Sequence, residues 1–187
     1  MLTSEQFLNS FRAWRSKHFG GIGRFFLRFK FHANFMTCVS LLCGTLAAYF
    51  LFDNYILFAI FGIGHLLADG IDGIIARESR ETFFGKFFDA ITDSTVNLML
   101  LLKVGWYLGD YIVFIIAGLF VLVQGVHYVS KMKVPALYSR TGTVLLLLFY
   151  PLFVWIPVVV YLFCGIIVMY SFARQVQHFG AKIFRKW

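Results

Sequence analysis

The sequence predicts an all-α membrane protein: six transmembrane helices with an N-terminal amphipathic helix lying at the interface. Three observations carry that expectation. Of its 187 residues, 60% are hydrophobic and only 14% charged, beyond what a soluble domain of this size uses. The apolar residues fall in runs of spanning length, about 20 residues each. The lysines and arginines gather at alternate ends of those runs, as cytosolic loops do.

In chain order, residues 4 to 31 interleave Phe7, Phe11, Trp14, Phe19, Phe25, Phe26 and Phe29 with Arg12, Arg15, Lys17, Arg24, Arg28 and Lys30. This suits a helix in the interface, broken near Gly20, Gly21 and Gly23, that covers the cytosolic mouth of the bundle. Residues 1 to 32 have no short apolar stretch with a small-residue cleavage site, so the N-terminus is expected to be mature and cytosolic. The predicted spans are 33–52, 55–77, 83–107, 110–131, 141–156 and 157–176. The last two share one apolar stretch divided by Pro151 and Pro157, either of which can kink or end a helix. Two segments result, an interfacial one over 1–32 and a six-helix domain over 33–187, with no internal repeat or linker.

Sixteen of the seventeen basic residues fall before span one, between spans two and three or four and five, or after span six. Those segments are expected in the cytosol, with both termini, and the protein in the cytoplasmic membrane. Lys103, the exception, sits near the outer end of span three and can snorkel to the interface. The net charge of +8 therefore faces anionic lipid and polyphosphate rather than nucleic acid. Cys38, Cys43 and Cys164 lie in apolar runs without CxxC spacing, which reads as buried structural thiols and not as a zinc site or disulfide framework.

The chemistry concentrates between Asp69 and Asp93. On a helix Asp69, Asp72, Gly73, Ala76 and Arg77 share one face, and Asp89 and Asp93 share a face of the next. As antiparallel neighbours joined by a short cytosolic loop, the two helices are expected to bring all four carboxylates together. An ionised carboxylate in the bilayer core costs at least about 2.5 to 3.5 kcal/mol, so four of them require cations. Hard oxygen ligands suit two Mg²⁺ or Mn²⁺ ions, a device for holding polyphosphate during displacement at phosphorus. Gly73 and Gly85 let a phosphate approach the backbone, and Arg77 offers it a planar fork of donors. The structural alternative is that the acids pair with loop arginines and the glycines serve helix packing.

The pattern D-x-x-D-G-x-x-A-R-x(7)-G-x-x-x-D-x-x-x-D formed by Asp69, Asp72, Gly73, Ala76, Arg77, Gly85, Asp89 and Asp93 resembles that of the CDP-alcohol phosphatidyltransferase family. Asn34 and Thr37, at the start of span one, look like that family's nucleotide-contacting Asn and Thr, although the proline that often precedes the Asn is Ala33 here. The resemblance implies metal-dependent transfer of a substituted phosphate group from a CDP-linked donor, CDP-diacylglycerol above all, to an acceptor alcohol with release of CMP. It implies that Asp69, Asp72 and Asp89 hold the metals, that Asp93 takes the acceptor's proton and also touches a metal, and that Asp89 and Asp93 form the catalytic pair. Asn34, Thr37, Gly73, Ala76, Arg77 and Gly85 then surround the nucleotide, and the protein acts as a homodimer on a small polar alcohol.

For the acceptor, family members using inositol phosphate carry an arginine beside the last aspartate, and glycerophosphate users often have proline after the third acid and lysine after the fourth. This chain has Ala90 and Ser94, against both. Lys131, Lys133 and Arg140, with Arg24 and Arg28, are candidates for an acceptor or lipid phosphate. His65, one turn before Asp69, and His127 in span four read first as hydrogen-bonded interhelical histidines. A divalent-cation transporter and a membrane prenyltransferase are the alternatives that also place acids in membrane helices.

Overall fold

The computed structural model describes residues 33 to 78 and 82 to 184. Residues 1 to 32, where the interfacial helix is expected, lie outside them. The described residues form six helices: α1 (Ala33–Phe50), α2 (Tyr55–Glu78), α3 (Phe83–Leu108), α4 (Tyr111–Val129), α5 (Arg140–Leu147) and α6 (Ile156–Phe184). No strand occurs among the described residues.

Local chemistry sets several of the ends. Thr82 caps α3 by accepting from the Gly85 N–H at 3.1 Å, which satisfies a donor that the first turn leaves open. Gly109 ends α3 at φ 64°, a left-handed conformation that glycine adopts without a Cβ clash. Asp110 then caps α4 by accepting from Ile112 N–H at 2.9 Å, so that α3 and α4 turn sharply into one another. In the turn before α2, Asp53 meets Lys103 Nζ at 2.6 Å, the partner that the lysine reaches from α3.

Four helices have the length and apolarity to cross a membrane, over Ala33–Phe50, Tyr55–Ala76, Tyr111–Val129 and Ile156–Ala181. Helix α3 is long enough at 26 residues but carries Lys86, Asp89, Asp93 and Lys103. The expected span 141–156 takes a different form: α5 has only eight residues, about 12 Å of helix, and the chain continues to Trp155 as successive turns. Bonds such as Tyr150 N–H to Leu147 O at 3.0 Å hold those turns. Pro151 has no N–H to continue a helix there, whereas Pro157 sits in the first turn of α6, where none is needed. Helix α6 also runs past the expected end at 176, to Phe184.

Helix α3 is the centre of the bundle, packing against α1, α4, α5 and α6, while α1 packs on α2 as well. Leu51, Phe58, Val96, Leu100, Leu101, Val104, Val144 and Leu147 form the main core. Outside it the polarity is inverted relative to a soluble protein: Ile56, Ile60 and Leu67 of α2 and Ile115 and Leu122 of α4 are exposed, while His65, Asn97, Gln124, Arg140 and Gln175 are buried. That is the pattern of helices whose outer faces meet lipid and whose polar groups find partners inside. Cys164 is buried as expected, but Cys38 lies exposed on α1, and all three thiols are free.

Gly44 of α1 packs tightly against both α3 and α2, where a Cβ would stand 2.5 Å from Val96 Cγ2 and 3.0 Å from His65 Nδ1. Gly44→Ala is expected to lower the thermal unfolding midpoint in detergent, because overpacking a core typically costs about 1 to 3 kcal/mol. Gly118→Ala, where a Cβ meets nothing within 4 Å, leaves it unchanged or raises it; equal midpoints for the two variants contradict the packing described.

Candidate functional site

Asp69 lies nine residues before the end of α2 (78 − 69) and Asp93 ten after the start of α3 (93 − 83), so both sit about 14 Å along their helices from the connection between them. One carboxylate oxygen from each of Asp69, Asp89 and Asp93 lies within 4.8 Å of the others. Asp72, one turn from Asp69, is buried, and its Oδ2 accepts from Thr37 Oγ1 at 2.9 Å. The sequence reading had α2 and α3 as close neighbours. Their backbones instead make little close contact, and α1 packs against both, so it is the side chains of the acids that converge.

Helix α1 carries the two residues expected at the nucleotide, one beside each acidic helix. Thr37 reaches Asp72 on α2. Asn34 faces Gly85 on α3, where a Cβ would stand 3.3 Å from Asn34 Oδ1 and 3.2 Å from Thr82 Oγ1. A Cβ there would be tight, so that Asn34 or Thr82 would have to shift by a few tenths of an ångström. Gly73 and Ala76 are half-buried on α2, and Arg77 follows on the same helix, its side chain outside what is described.

Arg140, the first residue of α5, enters the acid cluster. Its Nη2 stands 2.6 Å from Asp69 Oδ1 and 2.7 Å from Asp93 Oδ2, and its Nη1 lies 3.1 Å from His65 Nε2. The sequence grouped Arg140 with Lys131 and Lys133, but the structure separates them: both lysines are exposed while Arg140 is 4% exposed. The ion-pair alternative for the acids thus holds for Asp69 and Asp93. The signal missed was position, because Arg140 opens an apolar run in which nothing else offers a charge to the acids.

The loop from α4 folds back into the bundle to deliver it. Lys131 and Met132 take left-handed conformations at φ 54° and 62°, with Met132 N–H bonded to His127 O at 2.9 Å. His127 Nδ1 donates to the Val134 carbonyl and its Nε2 accepts from Tyr138 Oη. Leu137 N–H donates to Ser171 Oγ at 3.1 Å, and Asn97 Nδ2 to Ser139 Oγ at 3.0 Å. With these groups supplied by side chains, irregular backbone is tolerated at this depth. His127 is thus the hydrogen-bonded histidine the sequence reading favoured, and His65 bonds to both α1 and the acid cluster.

The donor set suits a hard divalent cation. Three carboxylates converge, and Asp93 Oδ1 is buried with no hydrogen-bond partner among the described residues, a costly state for an anionic oxygen unless a cation or a proton donor meets it. Fold and site together define an integral membrane protein with a carboxylate cluster inside its helix bundle. Residues 30–176 match the CDP-alcohol phosphatidyltransferase family model, and the chain belongs to that family. No individual curated protein matches it significantly. Membership makes it a transferase that moves a phosphatidyl-type group from a CDP-alcohol to an alcohol in phospholipid synthesis, in a family generally dependent on divalent metal.

Arg140→Ala is expected to destabilise the protein in EDTA by about 3 to 5 kcal/mol, the usual cost of removing one partner from a buried ion pair. Adding Mg²⁺ narrows the gap to wild type, since a cation can then stand between the acids. A midpoint in EDTA equal to wild type contradicts the buried pairing.

Proposed function

We propose that the chain transfers a phosphatidyl group from CDP-diacylglycerol to the hydroxyl of a small polar alcohol, releasing CMP, with two Mg²⁺ or Mn²⁺ ions held by Asp69, Asp72, Asp89 and Asp93. The observation that carries this reading is the convergence of Asp69, Asp89 and Asp93, with a buried oxygen on Asp93 that has no partner among the described residues. Arg140 changes the charge count: four carboxylates and one guanidinium sum to −3 (−4 + 1). Two divalent ions would bring the site to +1 (−3 + 4), a fitting balance for the donor's diphosphate.

Bound there, the ions would draw charge from the diphosphate and stabilise the oxygens gained and lost in the displacement. Asn34, Thr37, Gly73, Ala76, Arg77 and Gly85 hold the nucleotide, with Asn34 set against Gly85. The acceptor oxygen attacks the phosphorus that bears the diacylglycerol as the bond from that phosphorus to CMP breaks. Asp93 Oδ1 takes the acceptor's proton, which leaves as the new bond forms and so needs only a well-placed base. Lys131 and Lys133, exposed in the folded-back loop, offer charge to lipid or acceptor phosphate at the surface.

The setting in this reading is the cytoplasmic membrane, six crossings with both termini and the site's open end towards the cytosol, and a homodimer. The chain divides in this reading into an interfacial segment over 1–32 and a six-helix domain over 33–187. The inward-facing polar groups and the exposed apolar faces of α2, α4 and α6 support membrane insertion in this form.

Purified protein is expected to release CMP from CDP-diacylglycerol with Mg²⁺ or Mn²⁺ and to stop in EDTA. Asp93→Asn is expected to lower turnover by about 10²-fold or more, the usual contribution of a positioned base, while nucleotide affinity holds. Release at the wild-type rate by Asp93→Asn removes the base assignment. A panel of serine, glycerol 3-phosphate, inositol phosphate, choline and phosphatidylglycerol in the same assay identifies the acceptor.

A further inference from the structure

His65 is fully buried on α2, four residues before Asp69, and touches the site through Arg140. Its hydrogen bonds fix its state. An arginine Nη is always a donor, because the guanidinium keeps its protons in proteins. His65 Nε2, 3.1 Å from Arg140 Nη1, must therefore be the accepting nitrogen, and the ring proton must sit on Nδ1. The other side agrees: Nδ1 lies 2.8 Å from both the Ser40 carbonyl and Ser40 Oγ, and Ser40 Oγ donates back to the His65 carbonyl at 3.3 Å. The imidazole is neutral, with one nitrogen anchored on α1 and the other receiving the guanidinium.

The consequence reaches the reacting atoms. Arg140 Nη1 on His65 and Nη2 on Asp69 Oδ1 and Asp93 Oδ2 fix the guanidinium plane at three points. With Oδ2 of Asp93 held by Arg140, the oxygen left for chemistry is Oδ1, which has no partner among the described residues. We propose that His65 is a positioning residue for phosphate transfer: as a neutral acceptor it aims Arg140, and Arg140 presents Asp93 Oδ1 to the acceptor hydroxyl. This rests on Asp93 as the base in the function proposed above. The sequence singled out His65 by its place one turn before Asp69, and the family motif does not include it.

The test compares three replacements of His65 in the full-length protein. Gln carries its amide oxygen as many bonds from Cγ as the His Nε2 and can still accept from Arg140, whereas Asn matches only Nδ1 and serves the Ser40 contact. His65→Gln is expected to keep kcat within about threefold of wild type. His65→Asn and His65→Leu are expected to lose at least about tenfold in kcat with little change in the donor's KM, the effect of misplacing a reacting group by a fraction of an ångström to an ångström. The unfolding midpoint in EDTA follows the same order, with Gln above Asn. If His65→Leu does not fold, the comparison of Gln with Asn decides.

Equal losses in Gln and Asn, a better rescue by Asn, or wild-type kcat in Leu overturns the proposal. Failure of the donor assignment looks different: wild type then releases no CMP from CDP-diacylglycerol, and the variants are compared on the CDP-alcohol that it does use. Failure of the base assignment shows in Asp93→Asn alone.

Discussion

The site depends on one shared cation. Arg140 Nη2 lies within 2.7 Å of carboxylates from both acidic helices, and those helices have little backbone contact to hold them together. Asp69 and Asp93 at this separation repel strongly in a low-dielectric interior, so the guanidinium both joins α2 to α3 and limits the cost of burying their charge. It can do so only because the loop after α4 returns into the bundle, with His127, Ser171 and Asn97 bonding to that loop. Helix packing, loop conformation and acid geometry are thus linked through a single side chain.

The second constraint is the membrane. With apolar residues covering the outside of α2, α4 and α6, no hydrophobic force separates helix from lipid, and close packing with internal hydrogen bonds must specify the bundle. Gly44 lets α1 approach α3, and that approach places Ser40 and Thr37 of α1 against His65 and Asp72 of α2. Helix α1 therefore serves as the scaffold for both acidic helices.

Much of this was legible because it is periodic. Spacings of three and four put the acids on single helix faces, and the apolar runs located α1, α2 and α4 within a few residues of their ends. What failed to show was not periodic. The contact from Arg140 to Asp93 spans 47 residues, and composition alone cannot tell an arginine that pairs with acids from one that meets lipid phosphate, as with Lys131 and Lys133. The stretch from 148 to 155 is as apolar as a helix, so only the missing N–H of Pro151 marked it as turns. The different surroundings of Asp72 and Asp69 depend on Thr37 from another helix, and no spacing within α2 encodes that.

The central claim is that the converging carboxylates of Asp69, Asp89 and Asp93 form the metal centre for a CDP-linked donor. The most direct measurement counts Mn²⁺ bound per chain by electron paramagnetic resonance in detergent, with CDP-diacylglycerol present. The account predicts two ions in wild type, and loss of bound metal in the double variant Asp69→Asn/Asp89→Asn while the helical circular dichroism spectrum is retained. Metal binding of the same stoichiometry and affinity in that folded variant contradicts it.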